Sequence, residues 1–295
     1  MSTDGTDSKL QYTSEVSPSQ VNPIFQLSPT EISDPTLHYP IRECILSKQI
    51  YRGLCLIINQ KDFSPETGQT CREGTDRDAD RVERLFKMLG YNVQRYLNVN
   101  RNKLHRLLHD AATYDHSQFD SFVCVILSHG ENGVIYATDG PVPTDVVIAN
   151  FRGDQCITLT GKPKLFFIQA CRGVQFDKGA AIPLATDAVG DVVITKLPVE
   201  ADILIAHSTV PGYFAWRNSV VGSWFIQELC RILEEDYKGS TVHDLVTLLT
   251  VVARCVAYQY RSNTGQAGSH NMLQMTNYSS TLTRLMYLTV KPKDR

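Results

Sequence analysis

Two side chains able to share a proton sit just past two apolar runs. Phe122 to Leu127 gives way to Ser128-His129-Gly130, and Lys164-Leu165-Phe166-Phe167-Ile168 gives way to Gln169-Ala170-Cys171-Arg172-Gly173. A thiol attacks as its thiolate, and an imidazole within hydrogen-bond reach can take that proton and later return it to a leaving amine. Glycines at 130 and 173 allow close backbone approach, and the N–H groups of Gly130 and Cys171 could form an oxyanion hole for a tetrahedral intermediate. Taken singly, the cysteine reads as a structural thiol and the histidine as an ordinary polar residue. Together, each beside a glycine at the end of an apolar run, they read as a catalytic pair.

Such a pair needs two strands that stop side by side, and open parallel sheets place their working sites in the crevice beyond the carboxyl ends of their strands. The pattern of short apolar runs predicts strands at Gly53 to Asn59, Asn92 to Leu97, Phe122 to Ser128, Lys164 to Gln169, Asp202 to His207 and Leu282 to Val290. Helical spacing predicts helices at Asp76 to Leu89, Arg101 to Thr113, a short piece from Thr144, Ser223 to Tyr237 and Thr241 to Tyr260. Gly90 supplies a C-terminal stop for the first of these and Asn100 an N-cap for the second. Several strands are apolar at consecutive positions, as expected when both faces are covered. The fold class is therefore α/β, a three-layer sandwich with a mostly parallel six-stranded sheet flanked by helices.

Bulk properties exclude several functions. The chain has 295 residues, 42% of them hydrophobic, with 29 Lys and Arg against 31 Asp and Glu, a net charge of −2. That balance offers no basic field for nucleic acid and no polybasic tract for a membrane. No apolar stretch approaches a membrane span, and Met1 to Asp7 lacks the pattern of a secretory signal, which points to the cytoplasm. The eight cysteines are scattered singly, without the paired spacing of zinc or redox sites, so neither a metal nor another cofactor is expected. His105 and His109 stand four residues apart on a predicted helix and could suggest a metal site, but no glutamate follows His105 as a metalloprotease would need. Residues 1 to 45, rich in Ser, Thr, Pro and Asp, read as a flexible leader. Val174 to Pro198 reads as a long loop between strong strands, a length that is functional or disordered in most compact domains.

Ser128-His129-Gly130, Gln169-Ala170-Cys171-Arg172-Gly173 and Ser223-Trp224-Phe225 together resemble the caspases, whose local signature is Q-A-C-[RQG]-G. The resemblance runs from about Tyr51 to Val290 and includes Gly161-Lys162-Pro163-Lys164-Leu165, Pro198-Val199-Glu200-Ala201-Asp202 and Ser208-Thr209-Val210-Pro211-Gly212-Tyr213. It implies a cysteine endopeptidase that cuts protein substrates after aspartate. On the matching positions, Arg72, Gln169 and Arg217 would hold the aspartate carboxylate, because a guanidinium offers a planar fork of donors and an amide a neutral donor beside it. Phe214 and Trp216 would line the adjacent apolar subsite, and Trp224 with Asn218 would border the pocket for the fourth residue upstream of the cut. Many executioner members carry Tyr and Ser where this chain has Phe214 and Ala215, and residues Ser262 to Tyr278 lack the family segment that borders the distal subsites.

The resemblance also implies a zymogen cut inside the 174–198 loop by an upstream activating protease. Asp187 before Ala188 is the preferred cut and Asp191 before Val192 the second. This divides the chain into a leader at 1–45, a large subunit at 46–187 with His129 and Cys171, and a small subunit at 188–295 with Arg217. In the leader, Asp4-Gly5-Thr6-Asp7-Ser8 resembles an acidic four-residue caspase site, whereas Asp34 precedes Pro35 and is a poor one. The leader is too short for the recruitment domains of initiator members, so the executioner type in apoptosis is expected. Family members pair through the terminal strand of the small subunit, here Thr281 to Val290, and caspase inhibitor proteins are further partners. A catalytically silent, partner-binding regulator is the alternative, against which His129, Cys171, Arg72 and Arg217 all stand intact.

Overall fold

Gly53–Asn59 (β1) is buried at all seven positions because it runs through the middle of a sheet covered on both faces. The chain continues through Thr75–Met88 (α1), Tyr91–Leu97 (β2), Arg101–Thr113 (α2) and Ser121–Leu127 (β3). Three short strands follow, Gly130–Glu131 (β4), Val134–Ala137 (β5) and Gly140–Pro143 (β6), then Thr144–Ala149 (α3) and Lys164–Gln169 (β7). Ile203–His207 (β8), the two-residue strands Arg217–Asn218 (β9) and Gly222–Ser223 (β10), Trp224–Lys238 (α4), Leu245–Gln259 (α5) and Asn277–Ser280 (β11) complete the unit. The computed structural model describes residues 35–41, 51–177, 198–266 and 268–289. The described residues from His38 onward form one compact unit, and of the segment before it only the 3-10 turn Pro35–Leu37 is described.

The main sheet has the order β11-β8-β7-β3-β1-β2, parallel throughout except for β11, which runs antiparallel to β8. Alternate residues feed two cores, as the pleat requires. Cys55, Ile57, Val125 and Phe167 pack with Phe86 of α1, Leu229 of α4 and Leu249 of α5; Leu56, Ile58, Ile126 and Phe166 pack with Leu104 and Leu108 of α2 and Val147 of α3. α1 stops at Gly90, whose φ of 87° is the left-handed conformation that a side chain would oppose. The Asn100 side chain accepts the Lys103 N–H at 2.8 Å and caps α2. α5 begins at Leu245 rather than Thr241 because the Asp244 carboxylate caps it, accepting from the N–H groups of Val246 and Thr247.

One strand lies elsewhere than the sequence pattern predicts. The sixth strand is the polar segment Asn277–Ser280, and no strand forms over the apolar-looking stretch from Leu282 to Thr289. That stretch alternates because Met286 and Leu288 enter the core, but its backbone is satisfied by other partners. Thr283 N–H donates to the Tyr39 hydroxyl, Leu245 N–H donates to Met286 O, and the buried Arg52 guanidinium donates to the carbonyls of Tyr287 and Leu288. Alternating burial without a ladder mimics a strand in sequence.

Candidate active site

Parallel pairing of β3 with β7 sets Leu127 opposite Gln169. His129 and Cys171 each lie two residues past that pair, so neighbouring strand ends deliver the imidazole and the thiol to the same edge of the sheet. The junction is tight: a side chain at Gly130 would put its Cβ 2.8 Å from Cys171 O and 2.9 Å from Ala170 Cβ. Ser128 N–H donates to Gln169 O at 3.0 Å, and Ser208 Oγ donates to Ala170 O at 2.9 Å. Past the cysteine, Arg172 N–H donates to Tyr213 O and Gly212 N–H donates to Arg172 O, while a Cβ at Gly173 would meet Gly212 O at 2.2 Å. The 212–217 segment is thereby braced against the cysteine turn. Its Ala215 N–H points at the Cys171 sulfur from 3.5 Å.

His129 Nε2 lies 2.8 Å from Thr70 O. A carbonyl only accepts, so the proton of the neutral ring is on Nε2 and the lone pair on Nδ1 is free to accept another. Burial, partly opposed by the Thr70 bond and reinforced by the charges of Arg72 and Arg217, pulls the His129 pKa down to about 4. Burial pushes the Cys171 thiol up, while Ala215 N–H and the same arginines favour its anion. At neutral pH both groups are uncharged, which suits transfer of the thiol proton to the ring during attack rather than a resting ion pair.

Beside the pair, Arg72 is fully buried, yet among the described residues only one of its guanidinium nitrogens is engaged, Nη1 donating to Gln60 O at 3.0 Å and Thr75 Oγ1 at 2.7 Å. Among the described residues its Nε and Nη2 have no partner, nor has the buried amide oxygen of Gln169. Burial, then the nearby Arg217, lowers the Arg72 pKa to about 9. Arg217 donates from Nε to Glu73 O at 2.9 Å. Among the described residues no carboxylate forms an ion pair with either guanidinium. Burying guanidiniums that no carboxylate pairs is costly, so the arrangement is suited to receive an anion.

The aromatic residues form one ladder. Phe214 meets Trp216 edge-on at 5.1 Å, Trp216 stacks on Trp224 at 5.7 Å, and Trp224 reaches Tyr260 at 5.2 Å. Phe176, which carries no signal in the sequence, packs on both Phe214 and Trp216 at 5.6 and 5.5 Å. Gln274 was equally hidden: its amide accepts Trp216 N–H at 2.6 Å and donates to Ser208 O at 2.7 Å, tying the ladder to the end of β8. The Asn218 side-chain oxygen is engaged locally, accepting the N–H groups of Val220 and Val221. Thr70 and Glu73 act through backbone carbonyls, which no side-chain pattern could announce. His105 and His109 lie exposed on α2, away from these groups. Asp187 and Asp191 lie outside the described residues.

A thiol and an imidazole at adjacent strand ends of a three-layer α/β sandwich, next to an anion socket, define a cysteine-type hydrolase. Residues 52–287 match the family model described as Caspase domain. The chain is 45% identical to caspase-3 of Bos taurus over 235 residues, 80% of this chain and 84% of that protein. It is 43% identical to caspase-7 of Gallus gallus over 241 residues, 80% of this chain and 76% of that protein. The crystal structure of caspase-1 from Spodoptera frugiperda superposes with a TM-score of 0.76 at 37% identity, covering 86% of this chain and 95% of that one. The chain belongs to the caspase family. It is an executioner-like, aspartate-specific cysteine endopeptidase of apoptosis.

Proposed function

We propose that Cys171 is the nucleophile, His129 its general base and acid, and Arg72, Gln169 and Arg217 the seat of the substrate aspartate. The thiol proton passes to His129 Nδ1 as sulfur attacks the carbonyl carbon, and the resulting oxyanion is received by the N–H groups of Gly130 and Cys171. The C–N bond then breaks, the leaving amine takes the proton from His129, and water hydrolyses the thioester to regenerate the thiol. The observation that carries this reading is the buried Arg72, two of whose guanidinium nitrogens lack partners among the described residues while its charge acts on Cys171. A short acidic side chain supplies the missing acceptor. Phe214 and Trp216, joined by Phe176, form the next apolar subsite, with Trp224 and Asn218 bordering the more distal one.

On this reading protein substrates and an upstream activating protease are the partners, with inhibitor proteins of the family as further ones. The zymogen is cut at Asp187, with Asp191 as the second site, giving a large subunit of 46–187 and a small one of 188–295 that remain associated. A second copy extends the sheet from β11, whose outer side is the sheet edge; an uncovered edge is otherwise open to unwanted pairing. This shifts the pairing strand from Thr281 to Val290 back to Asn277–Ser280. The site of action is the cytoplasm; among the described residues no helix is long and apolar enough to cross a membrane.

Arg217→Lys tests the socket. Replacing the fork by a point charge should lower kcat/KM on an aspartyl peptide on the order of 100-fold with an unchanged melting temperature. Activity should also survive a zinc chelator and vanish on thiol alkylation. Near-normal kinetics in Arg217→Lys would remove that residue from the socket, and loss of activity on chelation would remove the thiol mechanism.

A further inference from the structure

Asp78 is a fully buried carboxylate on α1 that the chemistry above does not use. Its two oxygens accept the Ser223 N–H, at 2.9 and 3.1 Å, and Oδ1 also accepts from Gln227 Nε2 at 3.1 Å. Ser223 is the β10 residue paired with Arg217 of β9, and Gly222 is paired with Asn218. The fit is close: a Cβ at Gly222 would lie 2.2 Å from Asp78 Oδ1 and 2.6 Å from Gln227 Nε2. Gln227 in turn receives Arg81 of α1 at 2.5 Å.

The same helix indexes the other half of the socket. Thr75 in its first turn bonds Arg72, and a Cβ at Gly74, immediately before the helix, would sit 2.7 Å from Asn218 O and 2.8 Å from Ser219 O. Arg72 and Arg217 repel each other, and among the described residues no carboxylate forms an ion pair with either, so their spacing cannot be set by mutual attraction. Asp78 supplies the restraint: it grips the ribbon from behind without entering the fork, and its charge offsets the repulsion at a distance.

On the reading of Arg72 and Arg217 as the aspartate socket, we infer that Asp78 is a positioning residue that locks the β9–β10 ribbon to α1 and so sets the separation of the two arginines. Because α1 precedes the 174–198 loop and the ribbon follows it, this tie also bridges the two subunits after cleavage. Asp78 is fully buried and engaged by Ser223 and Gln227, so its effect is on how the carboxylate of the substrate is received.

Steady-state kinetics of the processed enzyme on an aspartyl peptide, with active sites counted by an irreversible thiol-directed peptide, test this. Asp78→Ala should raise KM at least tenfold while kcat stays within about threefold. Asp78→Asn, which keeps an acceptor for Ser223 N–H, should recover most of that loss. Asp78→Ser, too short to reach Ser223, replaces the alanine variant if that chain does not fold. A lowered melting temperature with unchanged KM in the alanine or serine variant would make Asp78 merely structural and overturn the inference. So would an asparagine variant as impaired in KM as the alanine one. If wild-type enzyme failed to prefer aspartyl peptides, the socket itself would fall, a result separable from either of these.

Discussion

His129 and Cys171 stand just past neighbouring strands whose pairing brings them to one edge, whereas Arg72 and Arg217 come from a loop and a two-residue strand in different parts of the chain. The first arrangement is held by ladder hydrogen bonds and a core buried on both faces. The second is held by a few local contacts: Gln60 O and Thr75 on Arg72, Glu73 O on Arg217, and Asp78 on the ribbon. On the proposed roles, the reactive groups are anchored in the sheet's interior ladder and the recognition groups in loops held by local contacts. Damage to the first should appear in kcat, and damage to the second in KM and in substrate choice.

The sharpest challenge to that division is Gly173, where the two regions touch backbone to backbone. Gly173→Ala would force its Cβ into Gly212 O and push the Cys171 turn away from the 212–217 segment. A displacement near 1 Å costs about 100-fold in rate, so kcat should fall by about that factor, as single-turnover kinetics would measure. If only KM changed, the cysteine turn would prove independent of the brace.

A smaller effect concerns pH. With His129 depressed to about 4, the ring stays a competent base until the pH falls through that value, where protonation removes the lone pair on Nδ1. The acid limb of kcat/KM for the free enzyme should therefore lie between about 4 and 5, not near the ordinary imidazole value of about 6.5. A limb near 6.5 would mean that the ring is solvated in the working enzyme and that its burial does not govern the chemistry.

How much of this was legible follows from the same contrast. β1, β3 and β7 announce themselves by unbroken apolar runs, and the residues just past them needed only the rule for parallel sheets. β11 is Asn-Tyr-Ser-Ser, with no apolar alternation, and the adjacent Leu282 to Thr289 has alternation without a ladder, so the pattern pointed to the wrong segment. The short ribbons β4 to β6 and β9 to β10 owe their existence to tertiary contacts rather than to propensity. Arg72 contradicts the default expectation of a solvated arginine, and only its likeness to a family motif singled it out. Thr70, Phe176, Gln274 and Asp78 carried no sequence signal at all: one acts through its carbonyl, the others through partners far along the chain.

Covalent trapping joins both halves of the account in one measurement. Processed enzyme is treated with matched electrophilic peptides ending in aspartate or asparagine, and the adduct is mapped by mass spectrometry. The arrangement of His129, Cys171, Arg72 and Arg217 predicts one adduct per chain, at Cys171, formed at least tenfold faster with the aspartyl peptide. Labelling at the exposed Cys71 instead, or equal rates for the two peptides, would contradict it.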